Sequence, residues 1–258
     1  IEQSQSLPDK ISAIHLVLRG LMTAGGYWQE INSTCEELET LLQEFIQAQP
    51  LVLDEVRTLY LLSPSFAIPH IKDSPVKFRK IHNKIADIFQ ANIQAIVKKQ
   101  SLEFIKRKQK GFISVGKEFK SQDDNLSKIS TKLTKKLKVG YLSYALRRHS
   151  VGWLARWLFK HHDKENFEIN TYFVNYKLVD DWLQEFYVNQ STYAHKLGMN
   201  GLEVAKKISE DEIDILIDLD SITLDISSEV MALKPAPVQA TWLGWDASGI
   251  PAVDYFIA

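Results

Sequence analysis

The spacing of apolar residues changes at about Lys138, and this change limits the chain to a two-part architecture. Between about Leu16 and Lys110 the apolar residues recur at helical spacing, as in the series Leu38, Leu41, Leu42, Phe45 and Ile46. Beyond Lys138, short apolar runs alternate with amphipathic stretches, a pattern typical of a parallel sheet with helical crossovers. We therefore predict an all-α amino-terminal region followed by an α/β Rossmann-like lobe.

The same spacing predicts individual elements and their limits. Helix breaks fall at Gly25-Gly26, at Pro50 and across residues 63–75, where prolines disfavour helix continuation. The predicted strands cover 139–143, 167–174, 213–219 and 238–243, and the predicted helices cover 153–161, 180–187 and 201–209. We divide the chain into a tetratricopeptide-like or otherwise all-α domain (1–120), a linker (121–137) and the Rossmann-like lobe (138–258).

Composition narrows the class of protein. The chain has 258 residues, 45% of them hydrophobic, and its 31 basic and 32 acidic residues give a net charge of -1. A charge this small favours neither nucleic acid nor a membrane surface as partner. One cysteine, Cys35, excludes an internal disulfide and indicates a reducing, cytoplasmic setting. No apolar run approaches the roughly 20 residues that span a bilayer.

Lysine-rich stretches at 98–110 and 132–138 fit a solvated helix end and linker, or a docking surface for an acidic partner.

Four polar residues lie between the first predicted strand and the helix after it, in the order Arg147, Arg148, His149 and Ser150. Open parallel sheets bind ligands beyond the carboxyl ends of their strands, often at a helix amino terminus. His149 is therefore a candidate base or a hydrogen-bonding partner of a substrate, because histidine changes charge near neutral pH. A loop histidine that only caps the following helix is an equally open interpretation.

Asp218 and Asp220 end the strand "ILIDLD" at the same edge of the sheet. Carboxylates at positions i and i+2 of an extended strand share a face, so they are candidates for shared chemistry or a metal. Helix capping and loop hydrogen bonding is the more ordinary interpretation. The sequence has no Cys/His cluster with metal-ligand spacing and neither a GxGxxG nor a Walker-type loop, which disfavours a plain dinucleotide-binding protein.

The segments "VGYLS", "RRHSVG", "ILIDLD" and "LKPAPVQATWLGW…DYFIA" together resemble the amino-terminal catalytic lobe of the O-linked N-acetylglucosamine transferase and SPINDLY family. This family has the GT-B glycosyltransferase fold. The resemblance covers about residues 138–258. It implies an enzyme without a cofactor that transfers a sugar from a nucleotide-sugar, expected to be UDP-GlcNAc, to Ser or Thr of a protein acceptor.

The resemblance also assigns candidate site residues. His149 matches the histidine that the family places after its first strand as a base or an acceptor-positioning group. Gly244, Trp245 and Asp246 lie where the family usually has Gly-Tyr-Pro lining the sugar pocket, so Asp246 replaces a proline. Ser221 replaces the glycine that often follows "DLD". The remaining residues that we expect to bind substrate are Arg148, Ser150, Asp218 and Asp220.

Family members hold most of the nucleotide in a second, carboxyl-terminal lobe, which the resemblance does not find in these 258 residues. We therefore expect this chain to be inactive alone, as a fragment of a longer enzyme or half of a split one. Two other classes remain open. One is a non-catalytic binding or scaffold module, and the other is a related enzyme or epimerase with a small-molecule acceptor, which a helical half packed over the cleft would favour.

Overall fold

The computed structural model describes residues 6–48, 52–98 and 136–258. Its amino-terminal part contains α1 (Leu7–Ala24), α2 (Trp28–Ala48), α3 (Glu55–Leu59) and α4 (Pro75–Ile96), with 3-10 turns at Ser63–Phe66 and Ile68–His70. Gly25 and Gly26 adopt φ angles of 70° and 80°, a region that favours glycine, and they end α1 where the sequence predicts. The predicted break at Pro50 and nearly all of the predicted linker lie outside the described residues, so the domain limits stay a prediction.

The second part alternates strands and helices as predicted. It consists of β1 (Leu137–Ser143), α5 (Ser150–Lys160), β2 (Phe167–Phe173), α6 (Trp182–Gln190), β3 (Tyr193–Lys196), α7 (Gly201–Glu210), β4 (Ile215–Asp218), a 3-10 turn (Ser221–Thr223), α8 (Asp225–Leu233), β5 (Val238–Trp242) and β6 (Tyr255–Ile257). Every element predicted for this part is present, with limits shifted by up to three residues. The elements β3, α8 and β6 are additional to the prediction.

All six strands run parallel, in the order β3-β2-β1-β4-β5-β6. This is the order of a Rossmann-type sheet, in which the direction of strand addition reverses between β1 and β4. Leu142 pairs with Asp218 across these two strands, and the Leu219 amide donates to the Leu142 carbonyl oxygen at 3.0 Å. The loops that follow β1 and β4 therefore leave the sheet side by side and form a crevice at its carboxyl edge.

The two faces of the sheet are covered differently. On one face, α5 and α6 pack against Val139, Tyr141 and Ile169. On the other face, α7, α8 and the helices of the amino-terminal part share a single core with Tyr172 and other strand residues. The helical region and the lobe are thus joined by a common hydrophobic core, which confirms the predicted fold class of an all-α region followed by an α/β lobe.

Helix α8 makes the junction between the two parts. Every residue from Ile226 to Leu233 is buried, because the helix lies between the sheet and the amino-terminal helices. Gln94 of α4 donates to the Ala232 carbonyl oxygen at 3.1 Å, and Gln90 accepts from the Ala252 amide at 2.7 Å. Within the ranges described, no helix combines the length and the apolar content required to cross a membrane.

Candidate functional site

The Asp220 side chain links the two loops that form the crevice by hydrogen bonds. One carboxylate oxygen accepts from the Ser143 hydroxyl at 2.7 Å, and the other accepts from the Tyr144 amide at 2.8 Å. The second oxygen also accepts from Ser227 of α8 at 3.2 Å. These bonds join the end of β1, the turn after β4 and the start of α8, and they fix the backbone from which the loop of residues 144–149 projects.

Asp218 shapes the turn after β4. Its two carboxylate oxygens accept from the amides of Asp220 and Ser221 at 2.9 and 3.1 Å. Ser221 has a φ angle of 51°, so the turn keeps the left-handed conformation for which a glycine is usual, and these bonds offset part of its cost. The structure thus places both aspartates in loop hydrogen bonds, the ordinary interpretation of their spacing.

The buried environment of Asp218 and Asp220 disfavours charged carboxylates and suits a structural role. Burial raises the pKa of both carboxyls, and the charge of Asp220 raises the pKa of Asp218 further. Among the described residues, no group of three or more His, Cys, Asp or Glu side chains is placed to hold a metal ion. Substrate binding by Asp218 and Asp220 stays a prediction, and of the two only Asp220 bonds to Tyr144 and could act by positioning it.

His149 is the N-cap of α5 and is half-buried, with its ring centroid 5.7 Å from that of Tyr144 in the loop after β1. Its Nδ1 accepts from the Val151 amide at 3.3 Å, which leaves the proton of the neutral ring on Nε2. Burial lowers the pKa of His149, and the guanidinium of Arg147 lowers it further, so the ring is neutral at pH 7. In this state Nε2 can donate a hydrogen bond to a substrate oxygen, whereas accepting a proton at Nδ1 requires giving up the bond to Val151.

The two residues beside His149 lie at the exposed rim. The Arg148 amide donates to the Asp181 carboxylate at 2.9 Å, and its guanidinium donates to the Asp180 carbonyl oxygen at 3.2 Å. These bonds direct Arg148 toward the loop that precedes α6. Ser150 is the first residue of α5 and is also exposed.

Arg147 is a candidate that sequence reasoning passed over in favour of Arg148. Its guanidinium lies 5.7 Å from the centre of the Tyr144 ring, and its buried Nε has no hydrogen-bond partner among the described residues. It lines a cavity of about 40 Å³ together with Tyr144, Asn175 and Lys177. The sequence places Arg147 and Arg148 side by side, and only the packing distinguishes the arginine with an unsatisfied donor.

The loop after β5 is held close to the crevice on one side and to α4 on the other. A Cβ atom on Gly244 would lie 2.3 Å from the Asp220 carbonyl oxygen, so this close approach requires glycine. The Trp245 ring lies edge-on to the rings of Phe78 and His82, with centroids 5.9 and 5.3 Å away. The Trp245 ring therefore packs against the helical region.

Polar contacts with α4 complete this arrangement. Arg79 forms an ion pair with Asp246 and donates to the Ala247 carbonyl oxygen at 2.6 Å. His82 Nε2 donates to the Ser248 carbonyl oxygen at 2.6 Å, and burial lowers the pKa of His82 to about 4, which keeps the ring neutral. The sequence could not reveal these partners, because they lie more than 160 positions away along the chain.

A doubly wound parallel sheet whose polar loops meet at the strand-order reversal defines an α/β lobe of the nucleotide-binding type. Comparison with known families identifies the family of this lobe. Residues 113–258 match the model of glycosyl transferase family 41, and the chain belongs to this family. The predicted membership of the O-linked N-acetylglucosamine transferase and SPINDLY family is thereby confirmed.

The curated relatives named here are all peptide N-acetylglucosaminyltransferases by description. The chain is 32% identical over 127 residues to the probable enzyme SPINDLY of Arabidopsis thaliana, a match covering 46% of this chain and 14% of the relative. It is 29% identical over 124 residues to the probable enzyme SEC of the same plant, covering 48% of this chain and 13% of that protein. The chain thus spans only a small part of the length of these relatives.

A solved structure of an O-GlcNAc transferase mutant from Thermobaculum terrenum is also similar. The likeness has a TM-score of 0.45 and 15% sequence identity, and it covers 98% of this chain and 54% of that one.

Proposed function

We propose that this chain forms the helical region and acceptor-side lobe of a protein O-glycosyltransferase, which transfers N-acetylglucosamine from UDP-GlcNAc to Ser or Thr hydroxyls. The observation that carries the proposal is the family match, because it covers the whole lobe and both loops of the crevice. The descriptions of the relatives as UDP-N-acetylglucosamine–peptide N-acetylglucosaminyltransferases support the choice of donor and acceptor.

In the proposed reaction, the acceptor oxygen forms a bond to the anomeric carbon of the sugar as the bond to the diphosphate breaks, and the proton of the acceptor hydroxyl passes to an oxygen of the departing diphosphate. The neutral His149 ring would donate from Nε2 to a substrate oxygen and position it, since Nδ1 is engaged by the Val151 amide. Arg147, whose buried Nε has no hydrogen-bond partner in the described part of the chain, would supply a positive charge close to the departing diphosphate.

We further propose that transfer needs a second lobe, which would hold most of the nucleotide across the crevice. The small share of the relatives' length that aligns with this chain supports this view. The helical region packs against the loop that contains Trp245, while Arg148 and Ser150 stay exposed on the opposite rim. This leaves the rim open and favours a peptide over an enclosed small-molecule acceptor.

The direct test is a transfer assay on the protein isolated from its native source. It is incubated with UDP-GlcNAc and a Ser/Thr-containing peptide, and the peptide mass is measured, with UDP-glucose and GDP-mannose as control donors. A mass increase of one N-acetylhexosamine, seen with UDP-GlcNAc alone, is the expected result. Binding of a protein partner without transfer from any donor would contradict the proposal and favour the scaffold alternative.

A further inference from the structure

The outer face of α5 carries an unusual group of exposed apolar side chains. Trp153, Leu154 and Trp157 of this helix are 45%, 61% and 54% exposed, and Trp182 of α6 beside them is 49% exposed. We call these four residues the tryptophan ridge. The opposite side of α5 is buried in the lobe core, so the helix needs none of the ridge for its own packing. Contiguous exposed apolar surface of this kind marks interaction sites.

Two cations pack against two of the tryptophan rings of the ridge. The guanidinium carbon of Arg156 lies 5.4 Å from the Trp153 ring centre and 5.0 Å from that of Trp157. The Lys160 ammonium lies 4.9 Å from the Trp157 ring centre. The rings of Trp153 and Trp182 meet edge-on at 5.4 Å. Because these contacts order the long side chains before binding, a partner would lose little conformational entropy on their account.

The position of the ridge separates it from the crevice and from the helical region. It lies on the sheet face covered by α5 and α6, whereas the amino-terminal helices pack with the core of the other face. The ridge is therefore not used by any contact between the two parts of this chain that the structure describes.

The charge on α5 indicates what would bind there. This helix contains Arg156 and Lys160 and no aspartate or glutamate, whereas α6 adds one exposed carboxylate, Glu185, one turn from Trp182, so the ridge keeps an excess of positive charge. Tryptophan and arginine together are the residue types that contribute most to binding at protein interfaces. We propose that the tryptophan ridge docks an acidic segment of a partner protein, with apolar side chains of that segment packed between the tryptophans and its carboxylates against Arg156 and Lys160.

A membrane surface is the other anionic and apolar partner to consider. Segments that bind anionic lipid usually carry a cluster of about four to eight basic residues. The ridge has two on its helix, and the whole chain has a net charge of -1. The two cations beside the ridge are thus sufficient to pair with a few carboxylates. They are too few for strong attraction to a lipid surface.

The test measures binding of fluorescent model peptides to the 258-residue chain by anisotropy. The probe is an amphipathic helical peptide of Leu and Glu, and its counterpart has Lys in place of Glu. We expect the Leu/Glu peptide alone to bind, with affinity that falls as salt increases. Trp157→Ala and the double variant R156Q/K160Q should each weaken binding by roughly tenfold or more.

Trp28→Ala is the matched control, because Trp28 is 61% exposed on α2, away from the ridge. It should bind the peptide as the unchanged chain does. Equal binding by all variants, or no binding of the Leu/Glu peptide, would overturn the proposal. Binding to phosphatidylserine vesicles that is lost in the ridge variants, without peptide binding, would assign the ridge to membranes instead. Trp157→Ala removes apolar surface and R156Q/K160Q removes positive charge, so one variant remains informative if the other unfolds.

Discussion

Single residues at the carboxyl edge of the sheet combine structural bonds with a position beside the crevice. Asp220 joins the loop after β1 to α8, and His149 caps α5 while its ring faces Tyr144. The sequence predicted where these residues lie, because strand ends can be read from apolar runs. It could not assign their partners, since the spacing of Asp218 and Asp220 favours loop bonding as the more ordinary interpretation but does not say which groups they bond.

Gly244 gives a prediction at the residue scale. Gly244→Ala would place a methyl group 2.3 Å from the Asp220 carbonyl oxygen, so the loop after β5 must move. We expect a loss of about 3 kcal/mol in the free energy of unfolding, measured by urea denaturation. Gly198→Ala is the control, because nothing lies within 4 Å of its added methyl group. Equal stability of the two variants would contradict the close approach.

At the scale of elements, the predictable parts are the ones with a strong local pattern. The strands β1, β2, β4 and β5 carry apolar runs and were predicted. The edge strand β3 is four residues long and includes His195 and Lys196, and β6 is apolar but only three residues long, so neither has an apolar run of ordinary strand length. Helix α8 was missed because its buried face includes polar residues such as Ser227, Ser228 and Glu229, whose burial depends on neighbours distant in sequence.

Glu229 makes the packing of α8 against α7 dependent on pH. Its carboxylate accepts from the Gly201 backbone at the start of α7, which lowers its pKa, but burial and, to a smaller extent, the charge of Glu55 outweigh this bond and raise the pKa to about 7. A carboxyl with a raised pKa in the folded state stabilises the fold most below its unfolded pKa, and this contribution is lost as pH rises through the folded pKa. The native chain should therefore lose stability relative to Glu229→Gln between about pH 4.5 and 7.

The measurement is the melting temperature of both proteins across this pH range. Glu229→Gln keeps an oxygen that can accept from Gly201, so the two proteins should differ least at the acidic end. We expect the advantage of the variant to grow to on the order of 2 kcal/mol above pH 7. A difference that stays constant or shrinks as pH rises would contradict this account of Glu229.

At the scale of the whole molecule, the helical region and the lobe behave as one structural unit because they share a core. Phe89 of α4 is fully buried in that core. Phe89→Ala should cost about 3–5 kcal/mol and reduce hydrogen-exchange protection in β1 and β4 as well as in the helices. Val76→Ala on the same helix is the control, because Val76 is 70% exposed. Unchanged protection of the strands in Phe89→Ala would mean that the two parts are independent.

This shared core was beyond sequence reasoning, although both of its halves were predicted. Helical periodicity showed that the amino-terminal helices have an apolar side, but not what covers it. The contacts of Phe78, Arg79 and His82 with the loop after β5 join residues that no local pattern connects. The helical region thus helps to shape the crevice, a role absent from the sequence-based division into domains.

The central claim is that His149 acts on the substrate in addition to capping α5, and two substitutions, each assayed for the proposed transfer reaction, separate these roles. His149→Asn keeps a good N-cap, whereas His149→Ala removes it at a cost of about 1 kcal/mol. The measurement is kcat for transfer from UDP-GlcNAc, with the melting temperature recorded for each variant. We predict that both variants lose roughly a hundredfold in kcat, because the substrate oxygen is no longer positioned, while His149→Asn melts as the unchanged protein does. Full activity of His149→Asn would contradict the claim and leave His149 as a helix cap.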